Sequence, residues 1–222
     1  MTRCHIMFFR KGACGLPSST FFRLPPEKQE KLLRAARKEF ARVPFADASI
    51  NRIIQAADIS RGSFYMYFRD KGELFFYLLE LHTRQLEAPA RSALHRRNGN
   101  PFPALLDLFD QLQAYYRLPE RDRAFEEVVR ILQLNHPMNP DLILRADIPE
   151  PPLLRLLDQI DPACLDLRHE DDLRESFHLL CAVTGSAVLS GIQMEDPAPA
   201  RARLVRIFDI LQRGMVSKPE LP

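Results

Sequence analysis

The sequence predicts an all-α fold, a small basic helical head followed by a larger acidic helical body. Three observations carry this. Apolar residues recur at a helical period from Pro26 onward, no stretch alternates apolar and polar residues convincingly as a half-buried strand would, and charge divides sharply along the chain. Residues 1–71 hold 14 Lys and Arg against 6 Asp and Glu, a net of +8, whereas residues 72–222 carry a net of −6. A basic block joined to an acidic remainder points to a polyanionic partner for the first part alone. The 222 residues are enough for one large domain or for a small and a medium one.

The elements follow in order. Residues 1–24 read as an irregular extension ending in "FFRLPP". Its short apolar patch, Ile6 to Phe9, is broken by Arg10 and Lys11 and lacks the length of a secretory leader. From Pro26 a helix is expected, with Leu33, Ala36 and Phe40 on one face and Lys31, Arg34 and Lys38 on another, ending at Val43-Pro44. Ser49 is placed to cap a short helix whose stripe is Ile50, Ile53, Ile54 and Ala57. Asp58 marks a tight turn with Ile59 pointing back to the core, and Ser60 caps a third helix to about Tyr67. Asp70 and Glu73 form a capping-box-like pair for a fourth helix, expected to reach Ala88, where Pro89 weakens it.

Beyond that point, helical patterns cover Pro103 to Tyr116, Glu120 to Asn135, Asp172 to Gln193 and Pro199 to Met215. A Pro-broken stretch with one short helix near its end lies between the second and third of these. Ser176 to Met194 has no formal charge, close to the length that spans a bilayer. His178, Thr184, Ser186, Ser190 and Gln193 interrupt it and no basic flank follows, so a buried helix, not a membrane span, is expected.

The stretch "ADISRGSFYMYFRDKGEL" has two faces. Phe64 and Phe68 lie four apart and point inward with Ile59, while Arg61 and Tyr65 lie about 100° round the helix. Two short helices on a tight turn need the first helix as a platform, which makes a three-helix unit from 26 to 68. Small residues at the start of the third helix let its backbone approach a base-pair edge. Arg61 can donate two hydrogen bonds to a guanine, Ser63 can reach a base or a phosphate, and Tyr65 offers a ring to a thymine methyl. Tyr67 and Lys71 would meet phosphates, and Ser49 and Asn51 open the preceding helix toward the backbone or an outer base.

The run "SINRIIQAADISRGSFYMYFRDKGEL" resembles the DNA-binding signature of the tetracycline-repressor (TetR) family of bacterial transcription regulators, over about 50 residues from Pro26 to Leu79. That resemblance implies an all-helical homodimer on a palindromic operator of duplex DNA, released when a small-molecule effector enters the C-terminal domain. It assigns Ser49, Tyr67 and Lys71 to phosphates and Asn51, Arg61, Gly62, Ser63 and Tyr65 to the neighbourhood of bases. The chain departs from the family pattern in two places: Asp58 stands where Gly is usual, and "RVPF" lacks the usual Gly before its aromatic residue.

The expected organisation is an extension over 1–24, a helix-turn-helix DNA-binding domain over 25–71, and a helical effector-binding and dimerisation domain over 72–217. In the last, Gly185, Ser186, Ala187 and Gly191 would allow close helix approach, and Leu204, Ile207, Phe208 and Leu211 an apolar edge for a four-helix dimer interface. Dimerisation would set two reading helices about one DNA turn apart, ~34–36 Å. Tyr115, Tyr116, Phe125, Val129, Phe177, Cys181 and Thr184 are the residues expected to line an effector pocket.

Enzymatic readings come out poorly. There is no phosphate loop, GxGxxG or HExxH, and no cofactor is expected. The "HEDD" run before a long helix reads as dipole partners in preference to a metal site. His178 and Cys181 lack an orienting third group, though Cys181 as a redox-sensing thiol is an alternative. The four cysteines, Cys4, Cys14, Cys164 and Cys181, form no CxxC pair, which argues against a disulfide framework and fits a reduced cytoplasmic setting. The rival class is a small-molecule-binding or enzymatic helical protein whose basic head is only a solvated surface.

Overall fold

The computed structural model of the chain describes residues 17–118, 123–135 and 152–214. All regular elements among them are helical. They are α1 (Ser19–Phe22), α2 (Pro26–Arg42), α3 (Ile50–Ala57), α4 (Arg61–Tyr67), α5 (Lys71–Gln85), α6 (Glu87–Arg96), α7 (Pro101–Tyr116), α8 (Arg123–Asn135), α9 (Asp172–Gln193) and α10 (Ala198–Arg213), with 3-10 helices at Phe45–Asp47, Pro152–Gln159 and Pro162–Cys164.

The helices pack around two apolar cores. In the head, Leu32, Leu33, Ala36 and Phe40 of α2 meet Ile53 and Ala57 of α3 and the inward pair Phe64 and Phe68. Asp58 links α3 to α4 with φ 57° and ψ 51°, the left-handed turn that Asp tolerates better than most residues. Ser60 then caps α4, its hydroxyl accepting the Ser63 N–H at 3.0 Å. Asp70 caps α5 by accepting the Glu73 N–H at 2.8 Å, and the Glu73 carboxylate takes the Arg69 N–H in return.

Three expectations need correction here. Residues 17–24 are not an irregular extension: Ser19–Phe22 is a helical turn, and its Phe21 is fully buried among the rings of Tyr67, Phe68 and Tyr77. Residues 1–16 lie outside the described residues. The fourth helix stops at Gln85 instead of Ala88, and Pro89 sits in the first turn of α6, where no intrahelical partner is lost. Finally, the head's core does not end at residue 71. It takes in Leu74, Phe75, Tyr77 and Leu78 of α5 and Ile131 of α8, so a boundary at 71/72 falls inside shared packing.

Two polar contacts reinforce that join. Asn135 accepts the Phe45 N–H at 2.8 Å, and Arg130 Nε donates at 2.8 Å to the Ala41 carbonyl in the last turn of α2.

The body is built on α6, α7, α9 and α10, with Phe102, Leu105, Phe109, Phe177, Leu180, Leu204 and Phe208 inside. Asn98 and Gly99 turn the chain between α6 and α7 with φ of 51° and 75°. A Cβ on Gly99 would stand 2.6 Å from the Asp161 backbone nitrogen, so that turn requires glycine on two counts. Where α7 crosses α9, Gln113 donates from Nε2 to the Val188 carbonyl at 2.9 Å, and Gly191 leaves it room.

That crossing revises the reading of the small residues. Gly191 serves contact within one chain, while Gly185 and Ser186 remain on the exposed side of α9. Leu204 and Phe208 are likewise spent on the chain's own core, because α10 turns that stripe toward Phe102. The large apolar residues that α9 and α10 leave exposed are Leu179, Val205 and Ile210. By length and composition α9 could cross a membrane, yet Phe177, Leu180, Val188 and Ile192 are buried in the body.

Candidate nucleic-acid interface

The expected contact residues come from three places: the start of α3, the first turns of α4 and the start of α5. Gly62, Arg61, Tyr65 and Met66 are exposed along α4, with Tyr65 at 46% and Met66 at 60%. Ser63 is half-buried, its hydroxyl 2.8 Å from that of Ser60. Met66 was not singled out by the sequence, although its place beside Tyr65 and opposite the Phe64–Phe68 face is the signal that could have found it.

Arg61 is held, not loose. One guanidinium nitrogen donates to Asn51 Oδ1 at 2.7 Å and another to the Tyr65 hydroxyl at 3.3 Å, with the cation 5.6 Å from the Tyr65 ring centre. Asn51 on α3 and Tyr65 on α4 therefore meet through one arginine. Guanidinium has five N–H donors, so these two bonds leave donors for a base edge.

Ser49 occupies the cap position of α3, but its hydroxyl does not cap it, contrary to the expectation. The backbone of Ser49 is anchored instead by Glu39, whose Oε1 accepts the Ser49 N–H at 3.0 Å. Glu39 is 5% exposed and also receives Arg42 at 2.8 and 2.9 Å and Arg52 at 3.3 Å. The Arg42 hydrogen bonds, helped by the Ser49 N–H, hold its carboxyl below the usual range even though burial pushes the other way. Sequence reasoning missed Glu39. Its signal was an acid among the apolar residues beside Ala36 and Phe40, a position that demands donors.

Lys71 reaches back to the same loop. Its ammonium donates to the Ala46 and Ala48 carbonyls at 3.1 and 2.9 Å and lies 4.7 Å from the Phe45 ring centre. One of its three donors is left over, and its charge stands beside the start of α3. Tyr67 is half-buried, its ring edge-on to Phe21 at 6.3 Å.

Of the residues expected to line an effector pocket, an aromatic group comes together and the others lie in the body's core. Tyr115 and Tyr116 contact the Phe125 ring at centroid distances of 4.9 and 6.1 Å, and His82 approaches it at 5.1 Å. Phe125, Val129 and Phe177 belong to the body's core, and Cys181 packs against that core. Thr184 is buried and donates to the Leu180 carbonyl at 2.7 Å. Burial pushes the Cys181 thiol up to about 12, which keeps it protonated and disfavours a redox-sensing role. Of these residues, Phe177 alone borders an apolar void among Leu94, Leu105, Leu108 and Leu153, with room for about one water. In the "HEDD" run, the Asp172 carboxylate accepts the Arg168 and His169 N–H groups at 2.7 and 2.9 Å, the work of a helix-start residue.

Comparison with known proteins places this site in context. The family model for bacterial regulatory proteins of the tetR family matches residues 32–78. Over 63 residues the chain is 36% identical to the HTH-type transcriptional repressor Rv1474c of Mycobacterium tuberculosis, covering 28% of this chain and 34% of that protein. Over 59 residues it is 37% identical to the uncharacterized HTH-type transcriptional regulator YdgC of Bacillus subtilis, covering 26% of this chain and 30% of that protein. The match thus spans about a third of the length of these curated relatives. Among solved structures, a TetR family transcriptional regulator from Chloroflexus aurantiacus aligns with 92% of this chain and 100% of its own, at 26% identity and a TM-score of 0.43. One from Pectobacterium atrosepticum aligns with 89% of this chain and 100% of its own, at 21% identity and a TM-score of 0.46.

Proposed function

We propose, from the premise that the chain belongs to the tetR family of bacterial regulatory proteins, that it is a cytoplasmic DNA-binding transcriptional regulator acting as a homodimer on a palindromic operator. The observation that carries this reading is the exposed face of α4. There Arg61, Gly62 and Tyr65 stand free of the core, on a helix whose opposite face is sealed by Phe64 and Phe68. Ser49 and Lys71 flank it with a hydroxyl that does not cap a helix and a cation. The mycobacterial relative is named a repressor, which supports repression as the sign of control.

Release by a small molecule is the second part of the proposal. Helix α8 carries Phe125 and Val129 in the body's core and Ile131 in the head's. An effector seated against the first pair would act on the reading helices through a rigid element, provided that it prefers the arrangement that cannot bind DNA. Leu179, Val205 and Ile210 are the exposed apolar residues with which α9 and α10 would meet a second copy.

The test is selection from a random duplex pool with purified protein. A palindrome with half-sites about 10 base pairs apart is the expected result, and no enrichment at low salt would overturn the reading. Arg61→Ala should then erase the preference at one position of each half-site, worth about 1–3 kcal/mol, as read by competition with substituted duplexes.

A further inference from the structure

The segment ahead of α2 does more than lead into the fold. Helix α4 has seven residues, so the carbonyls of its last turn are more than half of all it possesses. Phe68 N–H takes the Phe64 carbonyl at 2.9 Å, the ordinary continuation of the helix. The next two closures come from 48 and 49 residues away in sequence: Ser18 donates its hydroxyl to the Met66 carbonyl and its backbone N–H to the Tyr67 carbonyl, the latter at 2.9 Å. Beside them Phe21 is fully buried, with ring centroids 5.0 Å from Phe68, 5.8 Å from Tyr77 and 6.3 Å from Tyr67.

We infer that Ser18 and Phe21 are positioning residues for DNA recognition, forming a clamp that fixes the C-terminal end of α4 and so the angle at which Arg61 and Tyr65 face the duplex. Three features support a clamp over incidental packing. Both bonds come from one residue and fall on consecutive carbonyls. Those carbonyls belong to Met66 and Tyr67, on the turn directly after the exposed Tyr65. And Phe21 ties the same end of α4 to Tyr77 on α5, so α4 is held between two elements. The clamp lies outside residues 32–78, the part that matches the family model. Base discrimination depends on the placement of side chains to a fraction of an ångström, whereas phosphate attraction does not, so loosening the clamp should cost selectivity before it costs affinity.

The inference rests on the reading head proposed above, and the experiment separates the two. The full chain and its Ser18→Ala and Ser18→Thr variants are compared on the duplex selected by wild type and on a scrambled duplex, with hydrogen exchange of the α4 amides followed without DNA. The hydroxyl donates to the Met66 carbonyl and also accepts the Phe21 N–H at 3.4 Å as the cap of α1, so its loss frees both partners of the clamp. Ser18→Ala should lower the specific-to-scrambled affinity ratio about three- to tenfold and leave scrambled binding unchanged. Ser18→Thr, which keeps the hydroxyl, should restore the ratio, and exchange at residues 64–68 should quicken in Ser18→Ala alone. A merely structural loss would lower the folded fraction and weaken both duplexes together. A wild-type ratio and unchanged exchange in Ser18→Ala would overturn the clamp. If wild type selects no duplex, the reading head fails instead, and the exchange data still decide whether Ser18 holds α4.

Discussion

Gly62 and Gly191 both sit inside helices, for opposite reasons. A Cβ added to Gly62 on α4 would meet only the Ser60 hydroxyl, at 3.8 Å, whereas one on Gly191 of α9 would come 2.6 Å from Gln113 Nε2. The body is shaped by its own contacts: α9 needs glycine because α7 is there. The head has room to spare at Gly62, so nothing within the described chain requires a glycine there, and the proposed approach to DNA is what would. The same contrast runs through the arginines. Arg117 in the body donates to the Gly191 and Met194 carbonyls, closing the α7–α9 crossing, while Arg61 in the head is propped by Asn51 and Tyr65 at the surface.

The contrast is sharpest where the two regions share a helix. Ile131 is 1% exposed and belongs to the head's core although it lies on α8. Ile131→Ala should therefore destabilise the head by about 2–5 kcal/mol, the largest effect expected here. Urea unfolding followed by a probe in α2 would read it. A head midpoint unchanged by this substitution would mean that the two regions are packed independently. In the body, Gly191→Val should cost about 1–3 kcal/mol, because either Gln113 gives up the Val188 carbonyl or α9 moves away. Its signature is a lowered melting temperature with normal DNA selectivity in the protein that remains folded.

Most of the head was legible in the sequence because α3 and α4 are short and the ends of its helices carry the meaning. Ser60, Asp70 and Asp58 each announce a boundary chemically, and Phe64 with Phe68 fixes which way α4 faces. What escaped notice acts over distance. Glu39 is defined by Ser49, Arg42 and Arg52 around it, Phe21 by rings on α4 and α5, and Ile131 by a core that begins a hundred residues earlier. In the body the helical period located α9 correctly but could not divide its residues between the chain's own core and another surface. Leu204 and Val205 are adjacent and equally apolar, and packing alone makes one fully buried and the other 39% exposed.

Acid should loosen the head through Glu39. Its folded-state pKa lies below the ordinary 4.5, so the stability that it contributes is complete above 4.5 and is lost as pH falls through the lower folded value. Below 4.5 the unfolded chain binds a proton there that the folded chain resists. Glu39→Gln, which keeps an acceptor for the Ser49 N–H, should be less stable than wild type at neutral pH. Its urea midpoint should also fall less steeply between pH 5 and 3. Parallel pH profiles for the two proteins would remove Glu39 from the account of the start of α3.

The smallest expected effect on stability separates the two regions most cleanly. Gly62→Ala adds a methyl group where the chain leaves space, and alanine is the better helix former by about 1 kcal/mol. The variant should melt at or above the wild-type temperature, the reverse of Gly191→Val. It should nonetheless bind the selected duplex more weakly, because the added methyl group stands on the turn of α4 that Arg61 opens, where the proposed interface would bring the backbone close to the base edges. Gain of stability with loss of DNA affinity cannot arise from damage to the fold. Equal affinity for the two proteins would instead mean that α4 keeps its first turn clear of the duplex, and that Arg61 and Tyr65 reach the bases from farther out.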